Sequence, residues 1–164
     1  MGRLLVEIIS DKVDVSLHNV ATMIKTCDMD YVLFDVPISK HVYHMLHSMD
    51  KWFINPSRFS EPPLHEANLD NIDIQSEKAL SREMLFEYFK SIRDKICGYI
   101  GTLDDDMLGE KADGCEFTRL GLILGQLRHL HSHLGNINAT TMIVKKKWPR
   151  VVGLVGDISG QLYE

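Results

Sequence analysis

The chain has 164 residues, of which 45% are hydrophobic and 25% charged, and its formal net charge is −5. That size suits one domain, 1–164, with a full core, the acidic balance carries no nucleic-acid footprint, and no apolar run approaches the ~18 residues of a membrane span. Cys27, Cys97 and Cys115 are odd in number and widely spaced, and no signal-peptide apolar stretch precedes Glu7 and Asp11, so the expectation is a cytoplasmic protein with reduced thiols rather than a disulfide framework or a CxxC zinc site.

In chain order, four segments have helical periodicity and none alternates like a strand. The first covers about 4–26, with Leu5, Ile8, Ile9, Val13, Leu17, Val20 and Ile24 on one side. A short connection, 28–36, predicts that the next helix is its antiparallel neighbour. That second helix covers about 37–54, opening near Asp35-Val36-Pro37 and stopping before Asn55-Pro56. The stretch 56–78 has no helical period and holds Pro62-Pro63, His65 and several acids. It reads as an exposed crossover between the second and third helices.

The third helix, about 81–103, starts at Ser81 as N-cap and carries Met84, Leu85, Tyr88, Phe89, Ile92, Ile96 and Ile100. Cys97, beside Ile96 and Tyr99, is expected to be a small buried hydrophobe. From Asp104 to Phe117, three consecutive acids, Gly109 and Gly114 predict a polar loop. The fourth helix covers about 118–144, and Lys145-Lys146-Lys147 beyond it suit that helix's own C-terminal carbonyls. The tail, 148–164, reads as extended and packed along the outside. The fold expected is an all-α four-helix bundle with a long crossover between helices 2 and 3.

His129-Leu130-His131-Ser132-His133 is the most informative segment. His129 and His133 are four apart, so their rings stand one above the other on a helix and can reach one divalent metal. A third ligand would come from another helix, and His41, His44 and His47 are the candidates on the second. Periodicity by itself favours a plainer arrangement. On the fourth helix the apolar stripe is Leu120, Ile123, Leu124, Leu127, Leu130 and Leu134, which takes in His131 as a core histidine and leaves His129 and His133 beside Leu122, Gln126 and Ile137. On the second, Val42, Met45, Met49 and Phe53 form the stripe and His44 sits off its centre.

The segment His41-Val42-Tyr43-His44-Met45-Leu46-His47-Ser48-Met49-Asp50-Lys51-Trp52-Phe53 resembles the second helix of DinB-like proteins. Arg128-His129-Leu130-His131-Ser132-His133-Leu134-Gly135-Asn136 resembles their fourth, with Asn136 where the family often has Gln. The resemblance implies a metal-binding bundle, commonly dimeric, with one ligand from helix 2 and two from helix 4. Carried over residue by residue it favours His44, which precedes Trp52 by about two turns, with His129 and His133; His47 is the alternative to His44. Zinc or nickel suits imidazole ligands, and three of them leave an open position where a water or thiol is acidified. Asp50 and Glu116 are acids in the right segments to support the rings.

The family includes thiol-dependent transferases and isomerases, so the implied activity is a metal-dependent thiol transferase or related enzyme acting on a small electrophile. A metal-dependent hydrolase and a non-enzymatic dimeric stress-related binding protein are the other expectations. A homodimer is also expected because the fourth helix is apolar over more than half its circumference. The alternative is that Trp148, Val151, Val152, Leu154 and Val155 of the tail cover that face.

Overall fold

The computed structural model describes residues 2–75, 78–154, 158 and 160–164; Val155, one of the residues expected to cover the fourth helix, lies outside them. The chain is mainly helical. Four long helices, α1 (Leu4–Thr26), α2 (Ile38–Trp52), α3 (Arg82–Gly101) and α5 (Arg119–Lys145), are joined by a short helix α4 (Asp105–Leu108) and a hairpin of β1 (Val32–Leu33) and β2 (Val36–Pro37). Both α1 and α2 pack against α3 and against α5. The core between them is apolar, with Tyr43, Phe53, Phe89, Met23, Ile24 and Leu46 among its fully buried side chains. No helix among the described residues is long and apolar enough to cross a membrane.

The long helices match the sequence reading closely, and the starts of α3 and α5 are written locally. Ser81 accepts a hydrogen bond from the Met84 amide, and Thr118 accepts one from the Gly121 amide, as N-caps do. Several features differ from expectation. The segment 28–36 does not make α1 and α2 a major packing pair. It contains the β1–β2 hairpin, in which Val32 faces Pro37 and Leu33 faces Val36. Its two-residue turn is Phe34-Asp35, both at positive φ (51° and 61°), the left-handed geometry that matches strand twist. Neither residue is Gly or Asn, so the usual signal is missing from the sequence.

The polar loop expected from Asp104 opens instead with the short helix α4. Asp104 caps α4 by accepting from the Met107 amide, and Asp105 reaches across to the start of α1, accepting from the Val6 amide at 3.0 Å while its own amide donates to the Gly2 carbonyl. The α1 N-terminus has no side-chain cap of its own, so Asp105 supplies one from another element, with its negative charge at the positive end of the helix dipole.

Lys145 pairs with the far end of α1 rather than with its own helix: its ammonium donates to the Thr26 carbonyl at 2.6 Å. Arg82 of α3 donates to the carbonyls of Ile24 and Cys27 at the same place. The tail pairs with itself, since Pro149 and Tyr163 form an antiparallel bridge. Asn19 of α1 holds the tail by donating to the Val152 carbonyl and accepting from the Val152 amide.

Replacing Asp105 by Ala leaves the buried Val6 amide unpaired and should cost about 1 kcal/mol, lowering the urea midpoint without changing the slope. Asp105→Asn keeps an acceptor and should recover most of the loss. Equal midpoints for wild type and Asp105→Ala would show that the contact contributes nothing to stability.

Candidate metal centre

The three helix-2 histidines are three residues apart, so each is turned about −60° round the helix from the one before. They consequently meet three different parts of the chain. His41 donates from Nε2 to the Leu33 carbonyl at 2.9 Å and fixes the hairpin to α2. His44 faces α5. His47 is buried and donates from Nε2 to the Glu61 carboxylate at 2.6 Å, in the crossover.

Where α2 packs on α5, His44 meets His129 and His133. Ring centroids are 5.3 Å apart for His44 and His129, 4.9 Å for His44 and His133, and 4.6 Å for His129 and His133. One nitrogen from each ring lies within 4.8 Å of the others, so the three form a group that could hold a metal ion. The Nε2 atoms of His129 and His133 are 3.1 Å apart, close to the ~3.3 Å spacing that a tetrahedral zinc with Zn–N bonds of ~2.0–2.1 Å imposes.

The surroundings fit coordination. His44 donates from Nδ1 to the Asp70 carbonyl at 2.6 Å, which fixes its tautomer and leaves the Nε2 lone pair free. Burial, then the neighbouring His129, His44 and His41 rings, hold the His133 imidazole down at about 4. Burial and the His44 ring lower His129 in the same way. Both rings are thus kept neutral, the form that binds metal. Nδ1 of His129 is buried with no hydrogen-bond partner among the described residues, which carries a desolvation cost.

The supporting group at His44 is the main chain of Asp70. Asp50 instead accepts from the Tyr88 hydroxyl and pairs with Lys95, and Glu116 pairs with Lys111 at 3.4 Å. His131 is exposed, and its Nε2 donates to Ser16 Oγ at 3.1 Å, the serine's own proton going to the Lys12 carbonyl. It is not the core residue that the periodicity predicts. Leu124 also leaves the predicted stripe and is 53% exposed, whereas Leu122 is buried. The core-facing line on α5 is Ile123, Leu130, Leu134 and Ile137, and the line facing α2 runs through Leu122, Gln126, His129 and His133.

An open groove of about 400 Å³ runs up to His129 between Ser48, Trp52, Phe117 and Gln126. It gives a small molecule a way to one side of the imidazole cluster. A larger cavity of about 630 Å³ lies elsewhere, between α1 and α3, and is lined by Asp14, His18, Phe89, Arg93 and Cys97 among others. Cys97 is exposed rather than buried, and partial burial with Asp14 beside it raises its thiol pKa, which disfavours the nucleophilic thiolate.

Sequence reasoning placed the crossover but took it as exposed, missing how it is fastened to α2. His65 is half-buried, with Nδ1 2.8 Å from the Tyr43 hydroxyl, and Lys40 donates to the Ile74 carbonyl. Leu69 is fully buried. A main-chain acceptor such as the Asp70 carbonyl leaves no mark in a sequence. No family model, described protein or solved structure matches this chain.

A depressed His133 pKa has a consequence for the metal-free protein. Between pH 6.5 and about 4 the unfolded chain binds a proton at His133 that the folded chain does not. Stability is therefore fully present above 6.5 and falls as the pH drops towards 4. His133→Gln should flatten that limb of the curve of urea midpoint against pH. Parallel wild-type and mutant curves would mean that the His133 ring titrates normally.

Proposed function

We propose that this chain is a divalent-metal-binding protein of the DinB-like four-helix-bundle type, with His44, His129 and His133 as ligands and zinc or nickel as the ion. The observation that carries the proposal is the convergence of three partly buried imidazoles from facing helices, two of them held neutral. The packing of α1 and α2 each between α3 and α5, and the long crossover from α2 to α3, support the bundle reading. His47 is a weaker ligand candidate than His44 because it is engaged with Glu61.

When bound, such an ion acidifies a water or thiol or polarises a carbonyl. The chain's own residues do the rest. The Asp70 carbonyl orients His44, the Ser48–Gln126 hydrogen bond ties α2 to α5 beside the rings, and Trp52 and Phe117 wall the groove against His129. That groove supports action on a small molecule, with thiol transfer to an electrophile as the reaction class put forward and hydrolysis as its rival.

The ligand test is metal uptake by tag-free protein, read by elemental analysis after dialysis against zinc or nickel. His129→Ala and His133→Ala should each weaken uptake at this site about tenfold or more, and His44→Ala should do the same. His131→Ala should leave it unchanged. Loss in His131→Ala with retention in His129→Ala would overturn the ligand set.

We also propose a homodimer. Leu124, Ile143 and Val144 are exposed on α5, and Leu4, Leu5 and Ile8 are exposed on α1. Among the tail residues expected to cover α5, Val152 is buried against α1, while Trp148, Val151 and Leu154 are exposed. Light scattering at micromolar concentration should give twice the chain mass, and Leu124→Glu should shift it towards the monomer. A wild-type monomer would rule the dimer out.

A further inference from the structure

A second group of ligand-type side chains lies on another side of α2. His47 of α2 and Glu61 and His65 of the crossover each offer one donor atom, all within 4.8 Å of one another. Both imidazoles address the same carboxylate oxygen: Glu61 Oε2 is 2.6 Å from His47 Nε2 and 3.6 Å from His65 Nδ1. The two rings are stacked, with centroids 5.0 Å apart and planes 23° from parallel. We propose that His47, Glu61 and His65 form a second divalent-cation site, distinct from the α2–α5 imidazole cluster, where the crossover is fastened to α2.

The donor set and its surroundings point the same way. Two imidazoles and one carboxylate form a harder ligand set than three imidazoles. They suit zinc, iron(II) or manganese(II), with further positions left for water. The cation's charge is met directly by Glu61. The His47 side chain is only 3% exposed, and Phe59 and Tyr43 pack against its ring, so its position is fixed before a ligand arrives. Glu61 is 48% exposed and supplies the route in from solvent.

The second nitrogen of His47 has a carboxylate nearby, beyond direct hydrogen-bond distance. Nδ1 lies 3.9 Å from Asp70 Oδ2. On loading, the cation takes the Nε2 lone pair in place of the proton now shared with Glu61, and the neutral ring carries its proton on Nδ1, towards Asp70. The Tyr43 hydroxyl yields Nδ1 of His65 to the cation. Asp70 thereby lies beside both groups, its main-chain carbonyl hydrogen-bonded to His44 and its carboxylate 3.9 Å from His47. The rival account is that these bonds only strap the crossover to the helix.

Equilibrium dialysis of tag-free protein against zinc, followed by elemental analysis, separates these accounts. Wild type should bind two equivalents, His133→Ala one, Glu61→Gln one, and the double variant none. Glu61 is half-exposed, so its substitution leaves the core intact, and His65→Asn provides an independent second removal. Asp70→Asn keeps the carbonyl that holds His44, so any weakening it causes should be confined to the second site.

One equivalent in wild type, lost in His133→Ala and kept in Glu61→Gln, would overturn this proposal and leave the first site standing. One equivalent lost in Glu61→Gln and kept in His133→Ala would do the reverse. No uptake by wild type would overturn both.

Discussion

Taking a polar ring out of water has to be offset by a partner, and most buried polar groups in this protein have one. Asn19 exchanges two hydrogen bonds with Val152, Asp50 is held by Tyr88 and Lys95, and Lys40 reaches the Ile74 carbonyl. Among the described residues the exceptions are His18 Nε2, Asn138 Oδ1 and, between α2 and α5, Nδ1 of His129. The three imidazoles there crowd one another, and burial pushes His129 and His133 towards the neutral form. Three converging imidazoles, two of them held neutral, are a donor set that a divalent cation can take.

α2 is the hub on which these contacts turn. Its histidines step by three residues, so one helix presents an imidazole to the hairpin, to α5 and to the crossover in succession. The crossover is consequently an ordered cover on α2. Its buried Leu69 and its bonds to Lys40, Tyr43, His44 and His47 make it the outer wall of both histidine groups. Its main-chain carbonyl at Asp70 orients the ring that α2 sends towards α5.

The helix ends are tied together by groups from elsewhere in the chain. Asp105 caps the start of α1, while Arg82 and Lys145 satisfy carbonyls at its end. Arg3 in turn donates to the carbonyls of Gly101 and Leu103 at the end of α3. These bonds tie α1 to α3, α4 and α5. The register of α2 against α5, on which the level of His44 with His129 and His133 depends, is tied by the Ser48–Gln126 hydrogen bond.

The sequence by itself determined the four long helices, because periodicity and the caps Ser81 and Thr118 act within a few residues of themselves. It also determined that His129 and His133 share a helix face, since i and i+4 spacing admits no other outcome. Tertiary structure decided which helix-2 histidine joins them. His41, His44 and His47 are chemically identical, and only the docking of α5, the hairpin and the crossover tells them apart. It likewise decided the hairpin at Phe34-Asp35, whose turn lacks the usual residues, and the exposure of His131 and Leu124 on a helix with apolar side chains on several faces. The crossover was the least legible segment. Its role rests on a backbone carbonyl and on pairings between residues 14 to 34 positions apart, and no local pattern encodes either.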